Sequence, residues 1–302
     1  MNFQTQLSSL KLNSPLIGAS GPLGYVQEWK EDIDFDSWGA LCLKTTTIES
    51  RNGNQTPRLA EVDGGIINSI GLQNVGANNL KEKILPTLKD TSVPLIGNIG
   101  GNSIEDYLVM TELFSNENLI QMIEVNISCP NIHHHGPNFA HDLGALDELT
   151  KALHTKTTKP IFIKLSPNVP SLVPYAKICE QNKMDGLTIA NTYMGIKINL
   201  QTGKPLLANK TGGVSGSAIK PLSLRHVFEV SQNCNLPIIG LGGVHNAEDV
   251  LEYIYAGATA VGIGAGILEN PLISKEILSN LENLMKKLHI QNLQDIRGLA
   301  WK

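Results

Sequence analysis

Eight short apolar runs recur along the 302-residue chain, each separated from the next by longer, more polar segments. In order they are Pro15 to Ser20, Ala40 to Thr45, Pro94 to Gly100, Met122 to Ser128, Pro160 to Ser166, Gly186 to Asn191, Pro237 to Gly243 and Ala260 to Gly266. Their hydrophobicity is continuous instead of alternating, as strands buried on both faces of an all-parallel sheet require. Between the last two, Asn246 can cap a helix through Glu248, Asp249, Val250, Leu251, Ile254 and Tyr255 that Gly257 stops. Leu143 to His154 and Leu172 to Asn182 repeat apolar residues at three- and four-residue intervals. Strands alternating with helices over about 300 residues favour an α/β fold of the closed (β/α)8 kind, a TIM barrel, over an open doubly wound sheet. No low-complexity linker or charge block divides the chain, so a single domain over residues 1–302 is expected.

Two connections are too long to be plain loops: residues 46–93 after strand two and residues 192–219 after strand six. The second contains a hairpin pattern, Lys197 to Leu200 and Pro205 to Ala208 around Gln-Thr-Gly-Lys. Long loops in compact domains tend to be lids or binding elements. Strand-to-helix connections lie on the catalytic face of a barrel, so both insertions are expected to roof the site.

The balance of 24 Lys+Arg against 28 Asp+Glu, net −4, offers no basic excess to neutralise a phosphate backbone. Nucleic acid is therefore not an expected partner. No apolar stretch approaches the roughly 18 residues of a membrane span. The start, Met-Asn-Phe-Gln-Thr-Gln, lacks the basic and apolar regions of a secretion signal, so a soluble, cytoplasmic protein is expected. Cys42, Cys129, Cys179 and Cys234 form no C-x-x-C pair, and neither zinc nor an iron–sulfur cluster is expected on these thiols. Cys42 and Cys179 read as packing residues; Cys234 lies in a polar turn with no evident role.

Nearly every apolar run ends in a polar residue or glycine: Ser20, Lys44, Asn98, Asn126, Lys164, Asn191, Gly242-Gly243 and Gly264. A lone Lys or Asn at a strand end is ordinarily a solvated rim residue. Six of the eight ending in Ser, Lys or Asn instead describe a polar pocket at the C-terminal mouth. Two ammonium groups among several amides suit a planar, hydrogen-bonding, anionic ligand. The Gly-rich ends of strands seven and eight either let backbone amides approach a phosphate or merely permit tight turns.

The sharpest local feature is Asn126-Ile-Ser-Cys129-Pro-Asn131, leaving strand four. A thiol just past a strand end can serve as nucleophile or as general acid or base. His133, His134 and His135 follow closely, but consecutive residues rarely converge on one point, so the triplet reads as a solvated loop.

At this point the motifs match a known family. A-S-G-P-L-G-Y at 19–25, K-T-T-T at 44–47, G-N-Q-T-P-R at 53–58 and N-S-I-G-L-Q-N at 68–74 are followed by N-I-S-C-P-N at 126–131 and K-L-S-P-N at 164–168. A-N-T-Y-M-G at 190–195, T-G-G-V-S-G at 211–216 and G-L-G-G-V at 240–244 complete the series. In their order and spacing the sequence resembles the class 1 dihydroorotate dehydrogenases, FMN enzymes of pyrimidine synthesis. The 190–216 stretch is most similar to class 1B, whose catalytic chain works with a flavin/iron–sulfur partner that passes electrons to NAD. The resemblance implies FMN on this chain, with FAD and a [2Fe-2S] cluster only on the partner subunit, and a homodimer of catalytic chains. Class 2, with serine in place of Cys129 and an N-terminal extension, does not fit.

The resemblance further implies Cys129 as the base that takes the C5 proton of dihydroorotate. It implies Lys44 between flavin and substrate, and Asn68, Ser69, Ile70, Gly71, Leu72, Asn126, Asn191 and Thr192 around orotate. Ser20, Lys44, Thr45, Asn98, Asn126 and Ala190 fall at flavin contacts, Lys164 by the flavin pyrimidine end, and Gly216, Gly242, Gly243, Gly264 and Ala265 at the ribityl phosphate. Two departures stand out: the family usually has Gly-Thr where this chain has Gly264-Ala265, and the His133–His135 run is atypical. The competing readings are a class 1A homodimer that reduces fumarate, a non-redox phosphate-binding lyase or isomerase with Lys44 or Lys164 as a Schiff base, and a non-catalytic binding protein. With no early G-x-G-x-x-G fingerprint, direct NAD reduction by this chain alone is not expected.

Overall fold

In a computed structural model, which describes residues 2–128 and 138–302, the eight apolar runs pair in chain order into a closed parallel barrel. The strands are β1 (Leu16–Gly18), β2 (Ala40–Cys42), β3 (Leu95–Ile99), β4 (Ile120–Asn126), β5 (Ile161–Lys164), β6 (Gly186–Ile189), β7 (Ile238–Leu241) and β8 (Ala260–Ile263). Each pairs in parallel with its neighbours, and β8 closes on β1 through Val261↔Leu16, Gly262↔Ile17 and Ile263↔Gly18. Every strand but β4 is shorter than its apolar run: β1, β2, β6, β7 and β8 stop before Ser20, Lys44, Asn191, Gly242 and Gly264, whereas Asn98 and Lys164 still lie within β3 and β5. β4 begins two residues earlier than expected.

The longer helices outside the barrel are α1 (Ile104–Ser115), α2 (Leu143–Leu153), α3 (Val173–Gln181), α4 (Lys220–Ser231), α5 (Ala247–Ala256) and α6 (Ile273–Lys287). The α5 boundaries follow the expected chemistry. Asn246 and Asp249 form a reciprocal capping box, and Gly257 ends the helix in the left-handed region at φ 116°. Outward-facing strand residues such as Leu41, Ile99, Val125, Ile163 and Val261 join α1–α6 in one large apolar cluster.

The barrel interior holds a second, smaller cluster: Ile17, Ala40, Cys42, Ile96, Met122, Phe162, Ile239 and Ala260. An antiparallel hairpin that periodicity did not reveal, Thr5–Leu7 with Leu10–Leu12, adds Leu7 and Leu12 to this layer and closes its N-terminal end. Cys234 is buried, not in an open polar turn; its thiol donates to the Ala176 carbonyl, and burial pushes its pKa up to about 11.

The two insertions form one structure. Leu59–Val62 and Gly65–Asn68 come from the first, and Tyr193–Ile196 and Thr211–Ser215 from the second. They join in a four-stranded antiparallel sheet, with Thr211–Ser215 against Gly65–Asn68 at its centre. The expected hairpin is present but narrower, Ile198–Asn199 pairing with Lys204–Pro205.

Candidate active site

Side chains on a strand alternate between faces, so the inner wall is read at every second residue. Along β2 that reading runs Ala40, Cys42, Lys44; along β3, Ile96 then Asn98; along β4, Met122, Glu124, Asn126; along β5, Phe162 then Lys164. Each line passes from apolar to polar within one or two steps toward the C-terminal mouth. Above this polar layer, beneath the four-stranded sheet, lies a cavity of about 630 Å³.

Of the residues singled out in the sequence, Ser20, Lys44, Thr45, Asn68, Ser69, Ile70, Gly71 and Leu72 line this cavity. So do Asn126, Lys164, Ala190, Asn191, Thr192, Gly216, Gly242, Gly243, Gly264 and Ala265. Asn98 does not: it is fully buried one layer below, its Nδ2 donating to Glu124 Oε1 at 2.6 Å. Cys129 and His133–His135 lie outside the described residues.

The amides form a connected network. Asn126 Oδ1 accepts from Ser128 Oγ at 2.7 Å and from Asn191 Nδ2 at 3.4 Å, while Asn126 Nδ2 donates to Thr45 Oγ1 at 3.3 Å. Asn191 Nδ2 also donates to Ser128 Oγ, and Asn191 Oδ1 accepts from the Thr192 amide at 2.8 Å. Opposite them, Asn54 Nδ2 and Asn209 Nδ2 donate to Ser69 Oγ at 2.9 and 3.0 Å, tying the Asn68–Leu72 segment to both insertions. Asn74 braces the same segment: its Nδ2 donates to Thr47 Oγ1 and to the Leu72 carbonyl, each at 2.8 Å.

The charges differ in how they are held. Lys164 is buried and sits 3.7 Å from Glu124 Oε1. Lys44 has no ion pair or side-chain hydrogen bond among the described residues; burial, and secondarily Arg58, lowers its pKa from the usual lysine value while Glu28 opposes the shift. A partly desolvated cation without a partner attracts an anion strongly.

The glycine-rich rim leaves bare backbone facing the cavity. A Cβ at Gly216 (φ 112°) would stand 2.4 Å from Gly65 Cα, and one at Gly242 (φ 140°) 2.3 Å from Ser223 Oγ. At Gly264 a Cβ would have no neighbour nearer than 3.9 Å, so that position opens directly onto cavity space. Nearby, Ser20 Oγ is buried without a hydrogen-bond partner among the described residues.

A family model described as Dihydroorotate dehydrogenase matches residues 2–285. The chain belongs to the dihydroorotate dehydrogenase family. A relative from Bacillus pumilus is 43% identical over 297 residues, covering 98% of this chain and 96% of its own. One from Geobacillus kaustophilus is 42% identical, covering 98% and 95%, and one from Bacillus cytotoxicus 41%, covering 99% and 97%. All three are named dihydroorotate dehydrogenase B (NAD(+)), catalytic subunit.

The cavity fits the FMN that membership of this dehydrogenase family implies. It offers a side-chain-free rim for a phosphate, a buried unpartnered hydroxyl at Ser20 and a buried ammonium at Lys164. Sequence reading missed several lining residues, among them Gln73, Ser128, Asn209 and His245. It also missed Glu124, although a single acid within the run Met-Ile-Glu-Val-Asn was a visible signal.

Proposed function

We propose that the chain oxidises (S)-dihydroorotate to orotate in de novo pyrimidine (UMP) synthesis and that its electrons pass to NAD through a partner subunit. The observation that carries this reading is the meeting of Lys44, Asn68, Asn126, Asn191 and Lys164 on one cavity in a chain of this family. The names of the three relatives support the NAD-linked class and a partner over the fumarate-reducing alternative.

When bound, FMN supplies the acceptor for the hydride that leaves substrate C6. The rest falls to the chain. Backbone at Gly216, Gly242, Gly243, Gly264 and Ala265 holds the phosphate, with Ser20, Thr45 and Ala190 serving the remainder of the cofactor. Lys164 places a cation where negative charge grows on reduction. Asn68, Ser69, Ile70, Gly71, Leu72, Asn126, Asn191 and Thr192 orient the substrate's carboxylate and ring amides, and Lys44 adds charge attraction. Cys129, as thiolate, takes the C5 proton, so a proton and a hydride leave together and a C5–C6 double bond forms. FAD and a [2Fe-2S] cluster belong to the partner subunit, the catalytic chains pair as a homodimer, and the complex works in the cytoplasm. Among the described residues, no helix is long and apolar enough to cross a membrane.

The test is anaerobic. The purified chain should be yellow and should bleach on addition of dihydroorotate. Colour that returns with neither NAD nor fumarate until a partner is supplied supports the reading. Recovery with fumarate alone moves the chain to class 1A, and flavin indifferent to dihydroorotate removes the substrate assignment.

A further inference from the structure

Glu124 has no part in the function proposed above. It is 4% exposed on the inner wall of β4, beneath the cavity floor. Its Oε1 accepts from Asn98 Nδ2 at 2.6 Å and from the Cys42 thiol at 3.4 Å, and Lys164 Nζ lies 3.7 Å away. Its Oε2 accepts from Thr188 Oγ1 at 2.6 Å. Four strands besides its own thus contribute partners to one buried carboxylate.

Such a site is costly to build, and well-packed apolar residues would serve stability as well or better. Its geometry does something apolar residues would not. A carboxylate only accepts, so Asn98 must turn its amino group toward it. Asn98 Oδ1 therefore faces away, and that oxygen is buried with no partner among the described residues. The same carboxylate draws Lys164 Nζ to a set point on the cavity floor. One acid thus fixes an amide on one neighbouring strand and a cation on the other.

We propose that Glu124 is a positioning residue: it fixes the Asn98 amide and the Lys164 ammonium, and as counter-charge to Lys164 it limits how strongly reduced flavin is favoured over oxidised. This rests on the FMN reading above. Removing the counter-charge leaves Lys164 uncompensated beside a group that becomes more negative on reduction.

The test is the midpoint potential of the bound flavin in wild type, Glu124→Gln and Lys164→Met, with FMN content measured alongside. Glu124→Gln should hold reduced over oxidised flavin about tenfold more tightly, a rise of about 30 mV for a two-electron couple. Lys164→Met should shift the potential the other way. An FMN-loaded Glu124→Gln protein with unchanged potential, even if less heat-stable, overturns the proposal and leaves the flavin reading standing. Wild-type protein that takes up no FMN overturns both. Should Glu124→Gln fail to fold, Glu124→Asp keeps the charge but draws it back by one methylene. A smaller rise in that variant supports the proposal, and no rise overturns it.

Discussion

The lower and upper halves of the barrel interior come from the same strands, two residues apart, yet they obey different rules. Below, Ile96, Met122 and Phe162, joined by Leu7 and Leu12 of the N-terminal hairpin, fill the space with no side-chain polar atom to satisfy except the Cys42 thiol. Above, Asn98, Glu124, Asn126 and Lys164 are nearly as buried but are held by polar contacts: Asn98 and Lys164 by Glu124, and Asn126 by Thr45, Ser128 and Asn191, with the open cavity over them. Apolar packing tolerates exchange of one hydrophobe for another of similar volume. A buried polar layer does not, because each group left unpaired costs its full desolvation. Stability and chemistry are thus separated along the barrel axis, and substitutions in the two halves should affect different observables.

The largest effect is expected at the residue proposed to take the C5 proton. Cys129→Ser should lower dihydroorotate oxidation near neutral pH by about 10²–10⁴-fold, the usual worth of a positioned acid or base, while melting temperature stays unchanged. Undiminished turnover would take Cys129 out of the chemistry. The opposite signature is expected at the base: Leu7→Ala should cost about 2–5 kcal/mol of stability in denaturant titration and leave substrate KM in the folded fraction alone. A changed KM would mean that the two halves are coupled. At the rim, Gly216→Ala should loosen FMN by about 1–3 kcal/mol, since the new side chain meets Gly65 and must adopt a left-handed backbone; fluorescence titration of the flavin checks it.

Smaller again is a pH effect at Lys44. Burial lowers its pKa, so its charge is complete at neutral pH and lost as pH rises through a value below the ordinary lysine figure of about 10.4. Orotate affinity should fall in that alkaline range by up to about tenfold. Lys44→Met should bind more weakly at neutral pH and show a flat profile, whereas a decline that persists in this variant belongs to another group. Least of all, Asn246→Ala should cost about 1 kcal/mol through loss of the α5 cap, with no change in flavin binding.

What could be read from sequence follows the same axis. Continuous apolar runs announce strands buried on both faces, and the Lys, Asn and Gly that end them announce the mouth, because both signals are local. Asn246, Asp249 and Gly257 mark a helix for the same reason. The hairpin at Thr5–Leu12 was not legible, since each arm is only three residues long. Nor was the sheet shared by both insertions: the pairing of Asn68 with Gly213 depends on the barrel bringing them together. Asn98 illustrates a subtler limit. Its place at the end of an apolar run suggested the cavity wall, yet Glu124 on the next strand holds it one layer beneath.

The sheet over the cavity joins residues 145 apart in the chain, Asn68 and Gly213, and this sets an order of assembly. Contacts of such separation form late, because chain entropy must be spent before they add stability. During synthesis Gly65–Asn68 leaves the ribosome long before its central partner Thr211–Ser215 exists, so until then its second edge has nothing to pair with. The ligand pocket is therefore among the last parts of the molecule to be completed. A nascent chain halted before residue 211 would lack the closing strand of the roof and present an open sheet edge of the kind that recruits chaperones or other chains.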